Sequence, residues 1–566
     1  MKRAKSLGGF IFLLSILLIL TGVVGAQDDS KILRIAMTQE PGILIDYFTD
    51  LGVSWFHTHL HSTQPWGADK DGNIIPLLVD ELPSEENGGV SMTEDGKTVV
   101  KFTIADWAVW SDGTPITAAD FVLVFDIATD GISNVVIFRF VNGATLESVV
   151  QGETDKDVVI TFAQAQPDWT TASYYPLPAH ILREGYDAGI AEGIGFDDSQ
   201  SEWLRNPAVS NGAFVFAEWQ SGSFIRYVRN PNYWDDVYFD EIVFTLYPDG
   251  NVIKELLVSG EVDWTGMSIL DALAFKEENP DMNMITGFSG GRMELQFNFT
   301  EKRHPALADV RVRRAIAMAI DRQFIIDELY DGQTQIPRSF WDGTPWFYED
   351  TPQIEYDPEG AAALLAEAGW TDDDGDGVLE SHGVDGVEDG TPLALTAATY
   401  AGGGFVEFQD VLLTVQDFLK DVGIDVAITE YPVNVMHSSL TDNSPFSTAE
   451  HDLFLLGWGV GTDTIDQIEL WGCASIPTEE NPTALNGAGI CYPEMDELWN
   501  VLGTAMSADE RQEAANQIQT LIANEVMMVS MINFIDVTVT SPTLVGGETG
   551  RDNSPWYSIA DWRRTE

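Results

Sequence analysis

The sequence predicts an α/β protein with more than one domain. Segments of strand character alternate with segments of helical character along the chain, the pattern that builds a sheet covered by helices. The length of 566 residues exceeds what one core usually serves. The hydrophobic fraction of 44% is that of an ordinary globular protein, so large cores can form.

Charge and targeting narrow the class. The chain carries 90 Asp and Glu against 29 Lys and Arg, a net charge of −61. Bulk electrostatics therefore argue against nucleic acid and against an anionic membrane surface as partners. Residues 1–26 read as an export signal, with Lys2, Arg3 and Lys5 ahead of an apolar run at 10–20 and the small residues Val24, Gly25 and Ala26 before Gln27. No cysteine lies near that cleavage point, so a lipid anchor is not indicated. Cys473 and Cys491 are the only two cysteines. An even count in an exported chain favours one disulfide, and two cysteines without nearby histidines make a poor zinc site.

In order, 31–37 is a first strand, turned by Glu40-Pro41-Gly42. Residues 43–62 are helical in part and hold His57, His59 and His61, a spacing that allows a metal site but fits metal-free histidines as well. A strand at 98–104 leads to the aromatic-flanked turn 107–115. Thr117 then caps a helix with Asp120 at its third position. Residues 155–162 form a strand. Residues 213–219 and 224–228 form a hairpin closed by 220–223. A strand at 241–246 precedes a helix at 251–257 that stops at Gly260.

Residues 292–299 read as a half-buried strand, with Leu295, Phe297 and Phe299 alternating with Gln296, Asn298 and Thr300. Pro305 breaks the run and Asp309 caps a helix. There Val312, Ala315, Ile316, Ala319 and Ile320 make one apolar face, with Arg311, Arg313, Arg314 and Arg322 mostly off it. A short Ala-rich helix, 358–368, ends at Gly369. A strand at 393–399 is followed by Gly402, Gly403 and Gly404 and a helix to Val422. Exposed backbone N–H groups at these glycines can face a negative ligand end. Further strands are read at 424–428, 453–456 and 526–532.

Chemical motifs are few. Gly287-Phe288-Ser289-Gly290-Gly291 matches the nucleophile-elbow string, but a strand follows it where a helix is required, so a glycine-rich crossover is the better reading. Asp372, Asp374 and Asp376 imitate the start of a calcium loop, yet its twelfth position is Gly383 and not Glu. No HExxH or phosphate-binding P-loop is present. An aromatic, Trp458, sits on the glycine-rich stretch Gly457–Thr462 after a strand, where open α/β sheets place ligands.

Several strings together resemble the bacterial extracellular solute-binding proteins of family 5, the oligopeptide-, dipeptide- and nickel-binding components of ABC importers. They are Trp110-Ser111-Asp112-Gly113-Thr114-Pro115 with Thr117, Ala118 and Asp120; Asn211-Gly212-Ala213-Phe214; and Arg229-Asn230-Pro231-Asn232-Tyr233-Trp234. Next come Ser259-Gly260-Glu261-Val262-Asp263, Phe297-Asn298, and Asp309-Val310-Arg311-Val312-Arg313-Arg314-Ala315. Tyr356-Asp357-Pro358, Leu364-Leu365, Glu367-Ala368-Gly369-Trp370 and Gly457-Trp458 complete the set.

The resemblance implies a two-lobed periplasmic-binding-protein type II fold with an extra N-terminal subdomain. A first lobe at 27–290 would hold an inserted subdomain at about 67–205. A second lobe would span 291–530, and 531–566 would return to the first. A monomer would hold a peptide-like solute between the lobes and deliver it to membrane permeases, without cofactor, resident metal or catalysis. Trp458 and Gly459 would contact the ligand and Asp463 would pair a positive group. Asn298 would lie at the cleft, and Glu40, Trp341 and Gly403 would line it. The family's peptide binders place an Asp three residues after the tryptophan, where this chain has Gly461. An Arg that oligopeptide binders can carry in the preceding strand is replaced by Leu453-Phe454-Leu455-Leu456. An oligosaccharide, a metal chelate or, further off, hydrolase activity are the alternatives.

Overall fold

Two unusually long strands organise the molecule, Asn283–Phe297 and Met528–Thr540, of 15 and 13 residues. At about 3.3 Å per residue the first is roughly 50 Å long, more than a single domain's sheet needs. The two run antiparallel, from Asn283 opposite Thr540 to Phe288 opposite Ile535, and resume beyond an irregularity with Arg292 opposite Asn533. Gly290 sits in that irregularity with φ +70°, a conformation that favours glycine. The G-x-S-x-G string thus lies inside one strand, without the strand-turn-helix an elbow requires.

This computed structural model describes residues 31–49, 52–69, 73–135, 146–170, 175–344, 346–402, 406–459, 467–547 and 555–565. The export signal expected at 1–26 lies outside them. The long pair forms the middle of a ten-stranded mixed sheet. On one side of the irregularity its neighbours are Trp264–Met267, Ile32–Met37, Glu241–Leu246, Phe224–Arg229 and Phe214–Gln220. On the other side they are Leu453–Gly459, Ala394–Tyr400 and Asp425–Tyr431. The last two are parallel, a pairing that needs a crossover, and the helix Val406–Asp421 supplies it.

Three groups of buried side chains follow this plan. One surrounds the Arg292–Phe297 half, including Leu295, Phe297, Ile316, Leu455 and Trp499, and continues past the irregularity to Ala36, Leu257 and Phe275. A second surrounds the Ile32–Met37 strand and draws in Trp556, Ile559 and Trp562 from the far end of the chain. There Arg564 Nη2 donates to Asp263 Oδ2 at 2.7 Å and to Ile32 O at 2.9 Å. The third lies beneath a separate four-stranded antiparallel sheet, Val90–Met92, Thr98–Thr103, Asp157–Phe162 and Leu146–Gln151.

Local signals fall where the sequence puts them. Asp120 Oδ2 accepts from Thr117 N at 2.8 Å, the return bond of the expected cap. Asp309 Oδ1 accepts from Arg311 N at 2.8 Å and starts the helix Val310–Ala319. Gly260 closes Gly250–Ser259 with φ 79°. The basic island departs from a solvated face. Arg313 is buried, stacks 4.7 Å from the Phe299 ring and donates to the carbonyls of Leu307 and Glu525. Arg322 donates to Ser530 O and Ile354 O. These guanidiniums tie off backbone carbonyls, as Arg's fork geometry allows, and Arg311 and Arg313 also form ion pairs with acids.

Cys473 and Cys491 are joined, with an S–S distance of 2.05 Å and a sequence separation of 18. Replacing both by Ser is expected to cost about 3 kcal/mol, the chain-entropy value for a short loop. The check is a lowered urea midpoint, with a slope that rises if it changes, because the unlinked chain exposes more surface on unfolding.

Candidate functional site

An aromatic cluster lies where the two halves meet. Trp458, near the end of Leu453–Gly459, lies opposite Arg292. Its ring is 5.3 Å edge-on from His437 and 6.0 Å from Phe446. His437 Nε2 is 2.8 Å from the Tyr400 hydroxyl, and Tyr400 packs at 5.0 Å on Phe408. Burial drives the His437 imidazole down to about 4, so it is neutral near pH 7. Phe534, on the other long strand, packs 5.9 Å from Phe408. Glycines make this approach possible. A Cβ at Gly457 would stand 2.9 Å from Phe408, and one at Gly291 would stand 2.7 Å from Phe534. Trp458 is partly exposed and Gly459 is exposed, whereas Tyr400, Phe408 and Phe446 beside them in this aromatic corner are buried. Nearby Asp536 lies opposite Gly287, and burial pushes its carboxyl up to about 6.

The strand that carries this corner has polar residues on the same face as Trp458, since paired residues of antiparallel strands share a face. Arg292, Glu294 and Gln296 are all buried, at 1%, 0% and 1% exposure. Arg292 Nε donates to Glu294 Oε2 at 2.8 Å, and Gln296 Nε2 donates to Glu294 Oε1 at 2.5 Å. Arg292 Nη1 also donates to Phe340 O at 2.8 Å, with the guanidinium 5.4 Å over the Phe340 ring. The strand is therefore covered on both faces, not half-buried as its alternation suggests. Sequence reading missed this ladder because i, i+2, i+4 polar spacing is the usual mark of a solvated face.

The expected contact residues scatter. Asn298 is 1% exposed and spent internally. Its Nδ2 donates to His451 O at 2.8 Å and its Oδ1 accepts from Thr300 N at 2.8 Å. It stands six residues along the strand from Arg292, about 20 Å from the Trp458 level, so the two are not brought together. Trp341 is 0% exposed and packs between Phe340 and Trp499, within the core. Glu40 Oε1 accepts from Trp219 Nε1 at 2.7 Å and from Gly222 N at 3.0 Å. Burial raises its carboxyl, but those bonds outweigh it and hold the group below the usual range. That carboxylate pins the tip of the Phe214–Gln220/Phe224–Arg229 hairpin. Asp463 and Gly403 lie outside the described residues.

The histidines read as packing. On the helix Gly52–His61, His57 and His61 are buried and their rings lie near Tyr227, at 5.7 and 6.2 Å. His57 Nδ1 is 3.1 Å from the Tyr227 hydroxyl, and His61 Nε2 is 3.0 Å from Leu44 O. His59 points elsewhere, 4.5 Å from the Trp55 ring. Three imidazoles so dispersed do not form one metal site. Asp372, Asp374 and Asp376 are brought together with Glu380, with ligand-type oxygens within 4.8 Å of one another. These carboxylates also accept backbone N–H groups of their own loop, including Gly375 and Gly377. No helix among the described residues is long and apolar enough to cross a membrane.

Comparison with known proteins matches this architecture to one family. The sequence model for bacterial extracellular solute-binding proteins, family 5 Middle, matches residues 73–472. The oligopeptide-binding protein AppA of Bacillus subtilis is 24% identical over 587 aligned positions, covering 99% of each chain. Its structure with a nonapeptide superposes with a TM-score of 0.70 at 21% identity, covering 94% of this chain and 99% of that one. Di/tripeptide-binding protein 1 of Pseudomonas aeruginosa is 26% identical over 382 residues, 66% of this chain and 62% of its own. NikA of Brucella suis, solved with Fe(III)-EDTA, superposes with a TM-score of 0.76 at 18% identity, covering 94% and 100%. At those identities the likeness to solved structures is one of fold.

Proposed function

Because this chain belongs to the bacterial extracellular solute-binding proteins of family 5, we propose that it captures a peptide-like oligomeric solute between two lobes and delivers it to the permease of an ABC importer. The observation that carries this reading is the end-to-end match to an oligopeptide-binding relative. The aromatic corner at the crossover supports it, since rings that stack on peptide planes and apolar side chains tolerate varied sequences. Trp458 is the stacking residue, Gly459 leaves its approach open, and Asp463 pairs a cationic group. The lobes are 27–290, with a subdomain at about 67–205, and 291–530, with 531–566 returning to the first. The change of strand neighbours at the Phe288/Arg292 irregularity supports that division. The protein acts as an exported monomer without catalysis, and closure about the crossover is its working motion.

Mass spectrometry of the solute that co-purifies with gently isolated protein tests the class. Peptides support the reading; a metal chelate or an oligosaccharide would replace it with the other ligand of the same fold, and turnover of an added peptide would replace binding with hydrolysis. Trp458→Ala is expected to weaken binding of the identified solute by about tenfold or more, ~1.4 kcal/mol. Unchanged affinity by calorimetry would remove Trp458 from the site.

A further inference from the structure

We infer that Asp168 and Arg511 form a latch that ties the N-terminal subdomain to the second lobe and must break when the cleft opens. The inference rests on the two-lobed binding reading above. The residues are 343 positions apart, and Arg511 Nη2 donates to Asp168 Oδ2. Their side chains are 7% and 16% exposed, so the pair is shielded from salt more than a surface pair is.

Each partner is held ready by its own side. Asp168 lies on the turn that follows Asp157–Phe162. That turn is fixed by Gln166 N donating to Thr98 Oγ1 at 2.8 Å and by Trp66 Nε1 donating to Thr170 O at 2.8 Å. The Trp66 and Trp169 rings meet edge-on at 5.2 Å. Arg511 lies in the first turn of Ala508–Asn524, which packs on Pro493–Thr504. Its Nε donates to Leu502 O at 2.8 Å and its guanidinium lies 4.4 Å over the Trp346 ring. Nε is thus used within the second lobe, while Nη2 beside it is presented to Asp168. A preorganised fork loses little freedom on forming such a contact. The rest of the electrostatics oppose closure, because a chain with net charge −61 repels itself. A cation at the meeting of two acidic bodies offsets that repulsion locally.

The test reads lobe separation in solute-free protein. Dyes are placed at Glu153→Cys and Asn500→Cys, both exposed, while Cys473 and Cys491 stay unlabelled in their disulfide. Asp168→Asn keeps the shape of the turn and is expected to raise the ratio of open to closed molecules roughly tenfold. Arg511→Gln should do the same, and the double variant should shift the ratio no further than either single one. A distance distribution unchanged by Asp168→Asn, or additive shifts in the double variant, would overturn the latch. Pooled random hexapeptides are then added to the parent protein. If they leave its distribution unchanged while the latch variants shift it, the latch stands and the peptide reading fails separately.

Discussion

Glu294→Ala is expected to destabilise the protein by about 3–5 kcal/mol, the range for breaking a buried ion pair from one side. Glu294 has no exposure and accepts from both Arg292 and Gln296. Removing its carboxylate strands a guanidinium that is itself 1% exposed and already has one buried Nη2 without a partner among the described residues. What remains is one carbonyl, Phe340 O, and one ring. The loss is dominated by the unpaired cation, not by the pair's own attraction, and a second variant separates the two. Arg292→Met with Glu294→Leu and Gln296→Met removes every member of the ladder while roughly keeping volume, and should recover most of the loss. Urea unfolding of the three proteins decides the matter. A triple variant as unstable as Glu294→Ala would mean that the ladder attracts more strongly than its desolvation costs.

The ladder also marks the limit of what the sequence discloses. Strand and cap positions were legible because they depend on neighbours in the chain: Thr117 with Asp120, Asp309 before an apolar face, Gly260 after one. The family strings gave the two-lobed fold. What escaped depends on covering layers supplied from far along the chain. The alternation Arg292, Glu294, Gln296 implies water on one side, and instead the segment around Phe340 covers Arg292. The helix Ala508–Asn524 went unread because part of its buried face is polar, Arg511 and Gln519 lying inward beside Ala514, Ile518 and Ile522. The resemblance implies Trp341 and Asn298 as cleft residues, yet aromatic and amide side chains serve ligands and cores alike. Only burial and hydrogen-bond partners separate those uses.

Acid should destabilise the fold well before carboxylates alone would do so. Burial lowers His57 to about 3 and His61 to about 4, from an ordinary value near 6.5. His437 falls to about 4 for the same reason. A depressed imidazole binds fewer protons folded than unfolded, so its stabilising contribution is complete above about pH 6.5 and is lost as pH falls towards 4. Each such histidine can contribute up to about 1.4 kcal/mol per pH unit in that window. Asp536 works the other way. Its carboxyl is raised to about 6, so the folded state holds that proton more tightly and loses this contribution as pH rises through 6. Asp120, Asp168, Glu407 and Glu469 are raised in the same sense, and His304 and His451 are lowered with the other imidazoles. The three large imidazole shifts outweigh the carboxyls, and the urea midpoint is expected to fall from pH 7 to pH 4.5. Replacing His57 with Leu and His61 with Met removes two titrating groups from the same helix face. The variant starts lower at pH 7, through the lost contacts with Tyr227 and Leu44, but its stability should depend less steeply on pH. A slope equal to that of the parent would place the acid sensitivity elsewhere, in the carboxylates that hold the loops.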